Sequence, residues 1–153
     1  MATRATYTLR QKETRAGAPR KGGVYHVYIH YDGYPEGAAE YFAAAMKLRA
    51  LRYSAENLDA GLRGSLPEQF IRANALAEFT NHPDDHGDTE FHYDIAEVYN
   101  AEKRETTVTV KAYKLANFSE KVLPRTEFFN GPIEEFIKRY QVIRVKAQEE
   151  VQS

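Results

Sequence analysis

The segment His82-Pro-Asp-Asp-His86-Gly-Asp88, followed by His92 and Asp94, is dense in potential metal ligands. Imidazole nitrogens and carboxylate oxygens together suit zinc, manganese or another divalent ion. A bound ion would lower the pKa of water and make a hydroxide nucleophile, as a metal-dependent hydrolase requires. Strand alternation puts His92 and Asp94 on one face, where both could reach the same ion. The spacing is not an HExxH signature. The plainer reading is an acidic loop that caps one element and opens the next. No cofactor is the first expectation; a metal at His82, His86, Asp88, His92 and Asp94 is the alternative.

A second stretch, VYIHYDGYPEGAAEYF (27–42), runs from an aromatic strand into an alanine-rich helix. Asp32-Gly33 supplies a chain reversal, and Pro35 and Glu36 favour a helix start. Free amides at that helix start could hold an anion, but Asp32 and Glu36 would themselves occupy the positive end. The glycine spacing and lysine of a phosphate loop are missing. The turn is either only well capped or presents Asp32 and Tyr34 to a ligand. Ser54, Ser65 and Ser119 stand in no nucleophile elbow, so a serine triad is set aside.

These groups must be positioned by the elements around them. The chain has 153 residues, 42% hydrophobic and 28% charged, with a formal net charge of -1. That fits one soluble domain over 1–153 and gives no overall field toward nucleic acid or a membrane. No apolar run approaches the roughly 18 residues of a membrane span. The N-terminal MATRATYTLRQKETR lacks an apolar signal core, which predicts a cytoplasmic location. Zero cysteines exclude disulfides and thiolate ligands. The loop KETRAGAPRKGG is basic, and exposed Tyr could stack bases, yet the slightly acidic chain is not expected to bind nucleic acid.

Two-residue alternation predicts strands at 5–11, 24–31, 90–99 and 106–113. Helical patterns predict helices over about 35–52, from a Ser65–Glu68 capping box to about Phe79, and after Asn130-Gly-Pro132. The order is β-β-α-α-β-β-α. The expected fold is α+β: a four-stranded, mainly antiparallel sheet with helices on one face. Basic loop 12–22, the N-terminal tail and residues 146–153 are expected to be flexible.

Strand parity then divides the side chains. Tyr7, Leu9, Tyr25, Val27, Ile29, Tyr31, Phe91, Tyr93, Ile95, Val108, Val110 and Ala112 point to the helices. Thr6, Thr8, Arg10, His26, Tyr28, His30, Glu90, His92, Asp94, Thr107, Thr109, Lys111 and Tyr113 point away. A purely solvated face is the plain reading. The density of His and Tyr favours a recognition surface or a dimer stacking two such sheets.

The run YIHYDGYPEGAA, the helix SLPEQFIRANALAEFT, the strand HGDTEFHYDI and the closing GPIEEFI resemble a group of small uncharacterised phage and prophage proteins. The resemblance covers most of residues 5–140, and its most specific part is the DGYP turn after an aromatic strand. It implies a phage accessory protein acting in the host cytoplasm. Such a protein is often a binder that inhibits a host defence protein or sequesters a small nucleotide. The expectation is a non-enzymatic homo-oligomer that takes a host protein or small anionic ligand through Arg10, His26, His30, Asp32, Tyr34 and His92.

Overall fold

A computed structural model describes residues 3–14, 20–52, 66–83, 89–115 and 125–141. The strands are β1 (Ala5–Thr14), β2 (Arg20–Ile29), β3 (Glu78–Thr80), β4 (Phe91–Asn100), β5 (Glu105–Leu115) and β6 (Arg125–Pro132). The helices are α1 (Pro35–Arg52), α2 (Leu66–Ala73) and α3 (133–141). The class is α+β, as expected. The sheet, however, has six strands in the order β3-β2-β1-β4-β5-β6. It is mixed, because β1 runs parallel to β4 while every other neighbouring pair is antiparallel.

The expected hairpins β1–β2 and β4–β5 form, with Tyr7 opposite Val27 and Ile95 opposite Val110. Four strands become six through two segments with weak alternation. The helical pattern that suggested a helix to Phe79 ends at Ala73. There Asn74 turns its side-chain amide back to the Phe70 carbonyl at 2.9 Å, and Ala77 N donates to Asn74 O at 3.0 Å. A carboxamide that competes for the helix's own carbonyl terminates it, and the freed chain adds Glu78–Thr80 beside β2. The segment after Pro124 hides its period behind a bulge. Ala112 lies opposite Phe129 and Tyr113 opposite Glu127, which leaves Phe128 extra. The bulge sends both rings to the core side: Phe128 packs on Phe91 at 6.0 Å and Phe129 on Phe136 at 5.0 Å.

Loop 12–22 is also shorter than expected, since 12–14 belong to β1 and 20–22 to β2. Ser65 lies outside the described residues. Its expected partner Glu68 bonds Arg72 at 2.9 Å.

All three helices cover one side of the sheet. Phe42 of α1 and Phe70 of α2 pack on Tyr7, at 6.0 and 5.1 Å between ring centroids, and Phe136 of α3 packs on Tyr93 at 5.8 Å. Tyr7 and Tyr93 stack on each other at 5.2 Å across the parallel β1–β4 pair. The buried stripe of α1 is Ala38, Ala39, Phe42 and Ala45. Alanines there let the helix lie close over the sheet, so large rings supply the volume. Tyr25 and Tyr31, assigned to the core by parity, are 41% and 48% exposed. Parity fixes the side of a sheet, not whether a helix reaches that far along it.

Candidate functional site

The side of the sheet away from the helices carries three cross-strand rows. The first is Tyr28–Thr6–His92–Tyr113–Glu127, in neighbouring-strand register. The second is His26–Thr8–Asp94–Lys111–Asn130. The third is Val24–Arg10–Ala96–Thr109–Pro132. The expected partition by parity therefore holds for the imidazoles His26 and His92, which stand on this side and not among the core rings.

The two threonines of central strand β1 organise the face. Thr6 Oγ1 and His92 Nδ1 share a hydrogen bond of 2.8 Å, and Thr8 Oγ1 and His26 Nδ1 one of 2.9 Å. Thr6 and Thr8 are each only 1% exposed, being short side chains between longer neighbours on β2 and β4. Each threonine thus orients one imidazole through its Nδ1; His92 is buried at 4% exposure, while His26 is half-buried. Arg10 Nε donates to Asp94 Oδ1 at 3.1 Å. That pair is partly exposed and contributes orientation more than stability. The His92 and Tyr113 rings stack at 6.1 Å, with the Arg125 guanidinium 5.9 Å above the Tyr113 ring.

His30 lies one residue past the end of β2. Its Nδ1 accepts from Arg4 Nε at 3.3 Å, and Tyr28 Oη lies 3.0 Å from the same nitrogen. A nitrogen that accepts from Arg4 carries no proton, so Tyr28 is a donor too. His30 is thus anchored beside the first row by Arg4, a residue that sequence reasoning did not single out.

Asp32 and Tyr34 stand apart from these residues. Tyr34 Oη donates to Asp32 Oδ1 at 3.0 Å within the turn. Asp32 has φ 55°, in the left-handed region. The turn is pressed against the start of β1, and Gly33 N donates to Thr3 O at 2.8 Å. A Cβ on Gly33 would lie 2.7 Å from Ala5 Cβ and 2.8 Å from the Arg4 carbonyl carbon. One on Gly37 would collide with the Asp32 carbonyl oxygen. On the core side, Tyr93 Oη donates to Gly33 O at 2.7 Å. Burial, then the nearby Tyr7, Glu36 and Tyr140, raises the Tyr93 phenol well above its usual value. The turn's glycines therefore have steric causes, and a buried tyrosine holds the turn to the sheet.

The metal alternative is divided by the topology. His82 lies beside His26, with ring centroids 5.9 Å apart. Strand β1 lies between His26 and the pair His92 and Asp94. Asp94 is held by Arg10 and His92 by Thr6. His86 and Asp88 lie outside the described residues. Among the described residues, no group of three His, Cys, Asp or Glu converges on one point.

One polar constellation was not foreseen. Glu97 on β4 is 2% exposed and faces the helices. Its Oε2 accepts from Arg49 Nε at 2.7 Å, and its Oε1 accepts from Gln11 Nε2 at 3.2 Å and from Leu66 N at 3.3 Å. A carboxylate from the sheet thus caps the first turn of α2. The signal was present, because Glu97 continues the inward parity of Phe91, Tyr93 and Ile95.

Comparison with protein-family models, curated proteins and solved structures found no match. The described helices include none long and apolar enough to cross a membrane.

Proposed function

We propose that this chain is a non-enzymatic binding protein whose recognition surface is the helix-free face of the sheet. The observation that carries the reading is the pairing of Thr6 with His92 and of Thr8 with His26. The half-buried His26 imidazole, held by a hydrogen bond to the central strand, loses little conformational freedom on binding, so its contacts convert efficiently into affinity, while buried His92 supports the face from beneath. Arg10, Arg4, Lys111 and Arg125 give the face several positive groups, which suits an anionic small ligand such as a nucleotide. The resemblance to phage proteins gives the other occupant, a host defence protein in the host cytoplasm. A homodimer stacking two such faces would use the same surface.

The test compares wild type with an Arg10→Ala/His26→Ala double variant of equal melting temperature. Calorimetric titration with ATP reads the small-ligand arm. Capture from host lysate reads the protein arm, and light scattering reads self-association. Loss of any one of these signals in the double variant supports the face as the surface. Identical behaviour of both proteins in all three measurements removes it.

A further inference from the structure

We propose that the β2–β3 edge, a site independent of the sheet face above, is where two copies of this chain meet as a reversible homodimer. Strand β3 ends the sheet and pairs only with residues 26–28 of β2. Among the described residues, no strand lies on its other side. An open edge strand presents a row of backbone donors and acceptors that a second strand can complete.

Exposed apolar surface is concentrated at this edge. Among the described residues, the exposed large hydrophobic side chains are Tyr31 and four others: Val24, Tyr25, Leu76 and Phe79. Those four stand on or beside the β2–β3 edge. Phe79 is 66% exposed although it lies opposite Val27, which is buried in the core. Next to it a pocket of about 390 Å³ opens between α2 and the edge, lined by Tyr25, Pro67, Glu68, Ile71, Arg72 and Phe79. A projecting ring and a recess thus lie side by side on one surface. Apolar groups gathered in this way mark a contact surface, whereas scattered ones do not.

Two observations select a second copy as the occupant. The first is charge. Of the lining residues only Glu68 and Arg72 are charged, and they are bridged at 2.9 Å. The rim is therefore neutral and draws neither an acidic nor a basic partner. A two-fold axis normal to the sheet turns α2 end for end against its copy. Glu68 of one copy then approaches the partner's Arg72, and the reverse, so a rim that is neutral within one copy is attractive between two.

The second observation is register. An antiparallel two-fold through Phe79 sets it opposite the partner's Phe79 and sets Glu78 opposite the partner's Thr80. All three residues of β3 (Glu78–Thr80) then pair, and no like charges meet. Moving the axis to Glu78 would put two exposed carboxylates directly opposite each other, which is repulsive. With the axis normal to the sheet, both Phe79 rings stay on the helix side, each at the mouth of the other's pocket. Such a contact is closed, so assembly stops at two copies.

The chain has no cysteine, so one introduced thiol reports one position. Directly opposite residues of an antiparallel pair have Cα atoms about 4.5–5.5 Å apart, within disulfide reach. Phe79→Cys is expected to oxidise to a covalent dimer at least tenfold faster than Thr107→Cys, an exposed position on β5. In sedimentation equilibrium from micromolar to millimolar protein, wild type is expected to be a monomer–dimer mixture. Phe79→Asp should associate at least tenfold more weakly, with an unchanged melting temperature at micromolar protein. Glu68→Arg and Arg72→Glu should each associate weakly alone and regain dimer when mixed. A monomeric wild type at millimolar protein overturns the proposal and leaves the edge to a different partner. Undiminished association of Phe79→Asp, equal crosslinking of the two cysteine variants, or a mixture no better than its components does so too. The Arg10→Ala/His26→Ala variant of the sheet face should dimerise like wild type. Dimer lost there and kept in Phe79→Asp would assign self-association to the face instead.

Discussion

Arg49 Nε donates to Glu97 Oε2 at 2.7 Å, joining the last turn of α1 to the far half of β4 through a carboxylate that is 2% exposed. The other carboxylate oxygen accepts from Gln11 of β1 and from the first amide of α2. One acid therefore binds two helices to the two central strands. Removing one partner of a buried pair leaves the other charge uncompensated. Glu97→Ala is expected to cost about 3–5 kcal/mol. Glu97→Gln, which keeps the shape and part of the hydrogen bonding, should cost clearly less. Urea midpoints of the two variants check this, and equal losses would show that charge contributes nothing there.

Two stacked tyrosines should respond oppositely to loss of their hydroxyls. Among the described residues, Tyr7 Oη has no hydrogen-bond partner and is buried. Tyr93 Oη donates to Gly33 O at 2.7 Å. Tyr7→Phe removes an unsatisfied polar atom, so it is expected to be neutral or stabilising. Tyr93→Phe is expected to cost about 1 kcal/mol, with the Gly33 carbonyl losing its donor. Thermal and chemical unfolding of the pair distinguishes them, and a greater loss from Tyr7→Phe would be the contrary result.

The same two phenols set an alkaline limit. Desolvation by burial is the first cause holding both well above the ordinary value of 10.0. Above pH 10 the unfolded chain releases these protons while the folded chain retains them. Stability is therefore fully present below pH 10 and falls as pH rises toward the folded values. A Tyr7→Phe/Tyr93→Phe double variant should show a shallower decline between pH 10 and 11.5. A decline as steep as wild type's would place its origin in other groups.

The DGYPEG turn should be intolerant at its two glycines. Gly33→Ala drives a methyl against Ala5 Cβ and the Arg4 backbone, and Gly37→Ala against the Asp32 carbonyl. Backbone atoms cannot swing aside as a flexible side chain can, so each substitution is expected to cost on the order of 2–3 kcal/mol. Melting temperatures check this. An unchanged value for either variant would mean that the turn shifts freely.

The two threonine–imidazole pairs should differ by their burial. Thr6→Val takes a hydrogen bond from His92, which is 4% exposed, and is expected to cost about 1–3 kcal/mol. Thr8→Val takes one from the more exposed His26, which water can reach, and should cost below about 1 kcal/mol. Equal losses would mean that threonine size, not the hydrogen bond, is what the face requires.

How much of this was legible in the sequence depends on the element. Parity in β1, β2, β4 and β5 correctly separated Tyr7, Val27, Tyr93 and Val110 from Thr8, His26, Asp94 and Lys111. Alternation is a local property, and it survives any strand order. The β1–β4 parallel pair was not legible. It joins Tyr7 to Tyr93 across most of the chain, and nothing in either segment names the other. Glu78–Thr80 is too short to show a period, and the Phe128 bulge breaks the period of β6. Within the candidate site, His26, His92, Arg10, Thr6 and Thr8 were placed on the right face, but the pairing of Thr6 with His92 and of Thr8 with His26 was not foreseen, nor was Arg4 beside His30. Threonine on a strand reads as ordinary filler until register sets it beside an imidazole.

The parallel β1–β4 seam has a consequence for how the protein is born. As the ribosome releases the first hairpin, β1 shows an open flank bearing Thr6 and Thr8, and that flank stays bare until residues 91–100 emerge. Contacts so distant along the chain form late and slowly. A nascent chain paused before β4 would expose a sticky strand edge to chaperones or to other copies, so truncation anywhere upstream of Phe91 should yield aggregates, not a smaller folded unit.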